Sequence, residues 1–216
     1  MNRTKKNAVM TAIGCALIMF ANGGMTNTFA LNLPEFVAAF NESAATIAIA
    51  VTVGTLFSFV LSLVGGKIIQ KLTPRVTLFI ASLCTFAYGL MHYMAPNVTW
   101  LYIAGMLSGF VLALGMHACI AGILAGHAGY FGNKISSTLA LVFAVTTLGS
   151  AVYQFLMGQL NAIVGWRMSF LIFGIVSAVI GIIGNVLFLK PPVYDESAGT
   201  AEEKAAAPEL DGMSAS

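Results

Sequence analysis

The sequence predicts an all-α membrane protein of six transmembrane helices, arranged as two inverted three-helix repeats. Three observations predict it. Of the 216 residues, 58% are hydrophobic and 8% charged, where a soluble domain carries roughly 25% charged residues. All eight carboxylates are Glu35, Glu42 or lie at Asp195 and beyond, so residues 43–194 hold none and cannot form a hydrated surface. The third is a short motif at Gly66 that recurs at Gly158, 92 residues further on.

A bilayer core about 30 Å thick takes roughly 20 apolar residues per helical crossing. Broken at turn residues and charges, the apolar runs read as 8–30, 46–66, 76–95, 99–124, 138–160 and 168–189. The first follows a basic start of Arg3, Lys5 and Lys6, which resembles a secretory signal. It continues uncharged through Met25, Phe29 and Leu31, long enough to span. Strands of a membrane barrel would alternate apolar and polar residues with period two. These runs are apolar on all sides and rich in Gly and Ala, so helices are expected.

The chain divides into a cytoplasmic amino terminus (1–7), a bundle (8–190, repeats about 8–95 and 99–189) and an acidic tail (191–216). The tail carries six acids against Lys204 and is rich in Ala, Glu, Pro and Ser, a composition that disfavours folding. Orientation follows from Lys and Arg, which are retained on the cytoplasmic side. Arg3, Lys5, Lys6, Lys67, Lys71, Arg75, Lys134 and Lys190 fall on one side and Arg167 alone on the other. Both termini are therefore expected in the cytoplasm of a multi-pass protein of the cell membrane, inner or plasma. A net charge of +2 with scattered bases excludes a nucleic-acid partner. Cys15, Cys84 and Cys119 sit singly in apolar runs, without metal-ligand spacing, and read as packing residues.

The repeat aligns Gly66-Lys-Ile-Ile-Gln-Lys-Leu-Thr-Pro-Arg75 with Gly158-Gln-Leu-Asn-Ala-Ile-Val-Gly-Trp-Arg167. Each copy follows the second of three spans, one inside and one outside, as inverted three-helix units require. The first copy resembles the loop Gly-x-Leu-x-Asp-Arg-x-Gly-Pro-Arg of the major facilitator superfamily. Gly66, Ile68, Lys71, Pro74 and Arg75 are in register; Gln70 replaces the Asp and Thr73 the Gly. Phe29-Ala-Leu-Asn-Leu-Pro34 leading to Phe40, and Gly165-Trp-Arg167 with Ser169-Phe170, extend the likeness, most closely to the monocarboxylate and oxalate/formate porter group.

That resemblance implies the amino-terminal half of a twelve-helix fold and a secondary carrier or antiporter for small organic anions such as monocarboxylates. It also implies a gating loop of Gly66, Lys67, Gln70, Lys71, Pro74 and Arg75, weakened here because Gln70 carries no charge. One half cannot enclose the substrate cavity alone. A second copy, a separately made second half, or a truncated or accessory module without transport of its own are the alternatives. The expected partners are membrane lipid, a small-molecule substrate and that second half or copy.

Polar residues deep in a span are candidates for a substrate path, because hydrocarbon offers them no partner. Asn22-Gly23-Gly24 followed by Thr26 and Asn27 predicts a broken helix lining a cavity. His117 is the histidine expected well inside a span, and the repeat offset pairs it with Met25. Tyr153 and Gln154 in the fifth span complete the set, and Asn185 is expected to bond a neighbouring helix. Gly105-x-x-x-Gly109 and Gly122-x-x-x-Gly126 read as close helix-packing faces. No cofactor, metal site or catalytic residue is expected: the serine-protease, water-channel and nucleotide-loop motifs of other membrane and nucleotide-binding proteins are missing from these residues.

Overall fold

The computed structural model describes residues 3–190. The acidic tail, the first two residues and the side chains of Arg3, Thr4 and Gln70 lie outside the described residues. Everything described is helix or short connection.

Helix α1 (Arg3–Thr26) runs without a break through Asn22, Gly23 and Gly24, contrary to the expected interruption. The two glycines serve a crossing instead. A Cβ on Gly24 would lie 2.6 Å from the Tyr153 ring, and one on Gly23 would strike the Thr146 methyl. Helix α1 itself ends at Thr26, within an apolar helical stretch that runs from Lys5 to Phe40. A turn leads into α2 (Leu33–Phe40), which Asn41 closes in the left-handed conformation that Asn tolerates.

Ser43 caps α3 (Ala44–Leu72), accepting the Thr46 amide at 3.1 Å. Gly65 and Gly66 allow a tight turn or a close helix approach at the membrane edge; α3 passes through both, a Cβ on Gly65 would lie 2.9 Å from Leu114 Cδ2, and Gly66 faces open space. The chain turns at Thr73, whose φ of 62° and ψ of 147° lie where few residues other than glycine go. Pro74 supplies the extended ψ and then opens α4 (Pro74–Met94).

Next, α5 (Val98–Phe110) widens into a π-helical segment, Val111–Ala118, before α6 (Cys119–Ala125). The short α7 (Ala128–Phe131) precedes α8 (Ile135–Ile183), which ends in a second π-helical turn, Gly184–Phe188. Five helical stretches among the described residues are long and apolar enough to cross a membrane.

The fifth stretch joins the runs predicted as spans five and six. A straight helix of 49 residues would be about 73 Å long, more than twice a bilayer core. Gly165, with φ 78° and ψ 161°, breaks it, and the chain doubles back there: the Ser177 hydroxyl reaches the Tyr153 hydroxyl at 3.0 Å. The expected connecting loop is thus reduced to about one residue.

Residues 135–164 pack chiefly on α1, and residues 166–183 on α4, while α3 packs on α5. At the α3–α5 crossing, Gly105 and Gly109 meet the carbonyls of Ala50 and Gly54, the close packing expected of that pair. Gly122, of the second small-residue pair, meets nothing within 4 Å. Two apolar clusters fill the interior, one around Met25, Phe36, Tyr88 and Phe170, the other around Cys15, Met19, Leu78 and Met116. Leu56, Phe59 and Leu63 of α3, with Leu141, Phe155 and Ile163 of α8, stay exposed.

Candidate functional site

A helix that stops inside a bundle leaves its last carbonyls without helical partners. At the end of α1 the Gly23 carbonyl still accepts the Asn27 backbone amide at 3.3 Å, and side chains add to that bond. The Gly23 carbonyl accepts the Asn27 side-chain amide at 2.9 Å and lies 3.3 Å from the Ser150 hydroxyl of α8. Asn27 Nδ2 also donates to Ser150 Oγ at 2.8 Å, and Gln154 Nε2 lies 3.5 Å from the Asn27 carbonyl. Thr26 Oγ1 donates to the Asn22 carbonyl at 2.9 Å. Thr26, Asn27, Ser150 and Gln154 thus form one polar seam between α1 and α8.

Thr26 and Asn27 also border a cavity of about 190 Å³ between α1, α3, α4 and α5. Its other polar lining is Thr55, Ser108 and Tyr88, and no charged residue lines it. Hydrogen-bond capacity is lopsided. Thr55 donates to the Val51 carbonyl at 2.9 Å and Ser108 to the Gly105 carbonyl at 2.8 Å. Both hydroxyls, like that of Thr26, therefore retain only oxygen lone pairs. The two amide protons of Asn27 are also engaged, by Gly23 and Ser150. Apart from the Tyr88 hydroxyl, which can donate as well as accept, the wall is mostly acceptor.

The remaining candidates lie apart from this cavity. Asn22 is fully buried with Oδ1 3.0 Å from Thr85 Oγ1, while its Nδ2 has no partner. Tyr153 is buried behind Gly24 and accepts from Ser177. His117 is exposed on the π-helical segment, its Nδ1 3.0 Å from the Leu112 carbonyl and its ring 5.6 Å from Phe143. Met25, its partner by the repeat offset, is buried in the core.

His117 is not the only histidine within a long apolar helix. His92 is fully buried in α4, stacked on Phe170 at 4.2 Å, with Nδ1 2.8 Å from the Tyr88 carbonyl. Ser150, Thr55, Ser108 and Tyr88 also escaped the sequence reading. One signal was present: Thr146, Ser150 and Gln154 recur every four residues and so share a helix face.

In the predicted gating loop, Gly66 and Lys67 remain within α3, Lys71 is exposed in its last turn and Pro74 begins α4. Arg75 donates to the Leu189 carbonyl, and its own carbonyl accepts Asn185 Nδ2 at 2.8 Å. Arg167 makes the matching contact at the other end of the same helices, donating to the Ala95 carbonyl at 2.7 Å and the Tyr93 carbonyl at 3.1 Å. Each arginine places a cation at the negative end of the neighbouring helix.

Long apolar helices, five of them among the described residues long enough to cross a bilayer, around an uncharged, hydrogen-bonding cavity define a multi-pass membrane protein. The sequence matches the Major Facilitator Superfamily over residues 15–211, and the chain belongs to that family of transporters. A curated relative, the aspyridones efflux protein apdF of Emericella nidulans, is 27% identical over 184 residues, 81% of this chain. The chain spans 37% of that relative's length.

Proposed function

We propose that this chain is one six-helix half of an alternating-access carrier and that the Thr26–Asn27 cavity is its share of the substrate wall. The break at Gly165 supports six crossings, and the matched arginine contacts of Arg75 and Arg167 support two inverted repeats. The cytoplasmic bias of Lys and Arg supports cytoplasmic termini in the cell membrane. Two copies, or this chain and a second half, would then rock about the cavity, with the loop from Gly66 to Arg75 at the cytoplasmic gate.

The single observation that carries the substrate class is the acceptor-rich, uncharged lining. It suits a small organic solute that presents hydrogen-bond donors. The organic anion implied by the porter-group resemblance, such as a monocarboxylate, would find no cation here, and its charge would fall to the second half. The efflux relative adds support for outward movement of an organic compound.

The test is uptake and exchange in liposomes with a solute panel that pairs neutral amides and alcohols with monocarboxylates. Donor-bearing neutral solutes should move, and Thr26→Val with Asn27→Leu should slow them about tenfold, the loss of ~1.4 kcal/mol of binding. Unchanged rates in that double variant would remove the site, and transport confined to carboxylates would remove the substrate class.

A further inference from the structure

We propose that a groove at the cytoplasmic end of α4 binds one anionic phospholipid, its phosphodiester on Arg75 and an acyl chain along Val76, Phe79 and Val186. The groove, about 290 Å³, lies between the first turns of α4 and the final π-helical turn, with buried Asn185 in its lining. Its apolar members are unusually bare for a packed interior: Val76 is 46% exposed, Phe79 39% and Val186 62%. Hydrocarbon therefore suits them better than water.

Arg75 spends one N–H on the Leu189 carbonyl. A guanidinium carries five N–H donors in a fork that matches phosphate, so donors remain. Among the described residues beyond Glu42 there is no carboxylate to claim that charge, and Lys67, Lys71 and Lys190 lie close to it in sequence or at the same bundle end. The positive end of the α4 dipole favours an anion at the same place. Depth agrees as well. Phe79 lies one turn beyond Arg75, about 6 Å deeper, which is the step from a lipid phosphate to its first acyl carbons.

The experiment is thermal unfolding of the full chain in neutral detergent, with added dioleoyl-phosphatidylglycerol, dioleoyl-phosphatidylcholine or inorganic phosphate. Phosphatidylglycerol should raise Tm by several degrees more than phosphatidylcholine, and inorganic phosphate should leave it unchanged. R75Q should lose at least half of that increment and R75K should keep most of it. Since R75Q also removes a helix cap, V186W fills the groove with Arg75 intact and should abolish the increment on its own. Equal shifts with the two lipids, an R75Q or V186W chain that responds like the parent, or inorganic phosphate reproducing the effect would each overturn the proposal.

Discussion

Ser177 donates to the Tyr153 hydroxyl at 3.0 Å although 24 residues separate them in sequence. In an unbroken helix the two would stand about 36 Å apart. Their contact, with Tyr153 also 5.1 Å from the Phe173 ring, shows that residues 135–164 and 166–183 are antiparallel neighbours. The fold-back brings Tyr153 against Gly24, and so sets the α1–α8 seam on which the cavity depends.

That arrangement rests on Gly165. Its φ of 78° with ψ of 161° lies in a region that a Cβ makes costly, by about 1–3 kcal/mol. Gly165→Ala should lower Tm by several degrees in detergent. Gly158→Ala, at an open helical position of the same element, should raise it slightly, by roughly 0.5–1 kcal/mol. Equal effects at the two sites would contradict the assignment of the turn to Gly165.

Thr73 presents the inverse case, a non-glycine residue at φ 62° and ψ 147°. Relief of that strain outweighs the extra freedom a glycine brings to the unfolded chain, so Thr73→Gly should stabilise by about 1 kcal/mol. The Thr77 amide and hydroxyl both bond the Thr73 carbonyl, and the substitution leaves that carbonyl in place. A calorimetric Tm that falls would show that the Thr73 side chain holds the loop in a way its backbone does not reveal.

How much of this was legible in the sequence depends on the range of the forces involved. The acid-free stretch and the all-round apolar runs announce helices in lipid, because burying an unpaired charge there costs several kcal/mol whatever the tertiary fold. Turns were harder. Gly66 reads as a breaker, yet α3 continues to Leu72, one residue short of the Thr73 turn before Pro74; Gly23 and Gly24 read as a break, yet Thr146 and Tyr153 occupy the space they leave. Both outcomes depend on a helix more than a hundred residues away or on the next proline. Asn27 and Gln154 stood out as amides within a span, whereas Ser150 did not, since helical serines commonly bond their own backbone, as Ser150 does to Thr146.

Close crossing of α3 on α5 gives a steric prediction. A Cβ on Gly109 would fall on the Gly54 carbonyl and 3.1 Å from the Ser58 amide, both backbone atoms that cannot turn aside. Gly109→Val should cost at least about 1–3 kcal/mol and reduce the α3–α5 contact, visible as loss of an Ala50–Gly105 cysteine crosslink. Gly122→Ala, at an open helical position with nothing in reach, should instead raise stability slightly, by roughly 0.5–1 kcal/mol.

Asn22 separates stability from function. Its Nδ2 is buried without a partner, and Thr85 has an alternative acceptor in the Ala81 carbonyl at 3.0 Å. An unsatisfied buried donor costs about 1–3 kcal/mol, and a near-isosteric apolar replacement removes that cost. Asn22→Leu should therefore unfold within about 1 kcal/mol of the parent, while slowing transport if Asn22 contributes to the substrate path. A large drop in Tm would mean that the amide is bonded to a buried water or solute.

His127 lies between the long apolar helices, is buried, and has Nε2 3.2 Å from the Lys190 carbonyl at the end of the bundle. Burial lowers its pKa below the ordinary 6.5, and the bond to that carbonyl opposes the shift only in part. Above pH 6.5 the side chain is neutral in both folded and unfolded chains and contributes no pH dependence. As pH falls below 6.5 the unfolded chain takes up the proton first, so stability declines until the folded pKa is reached and then levels off. Tm measured from pH 8 to pH 5 should fall, and His127→Gln, which can still donate to the Lys190 carbonyl but cannot titrate, should flatten that part of the profile. A variant with the parental pH dependence would place the titration on another group.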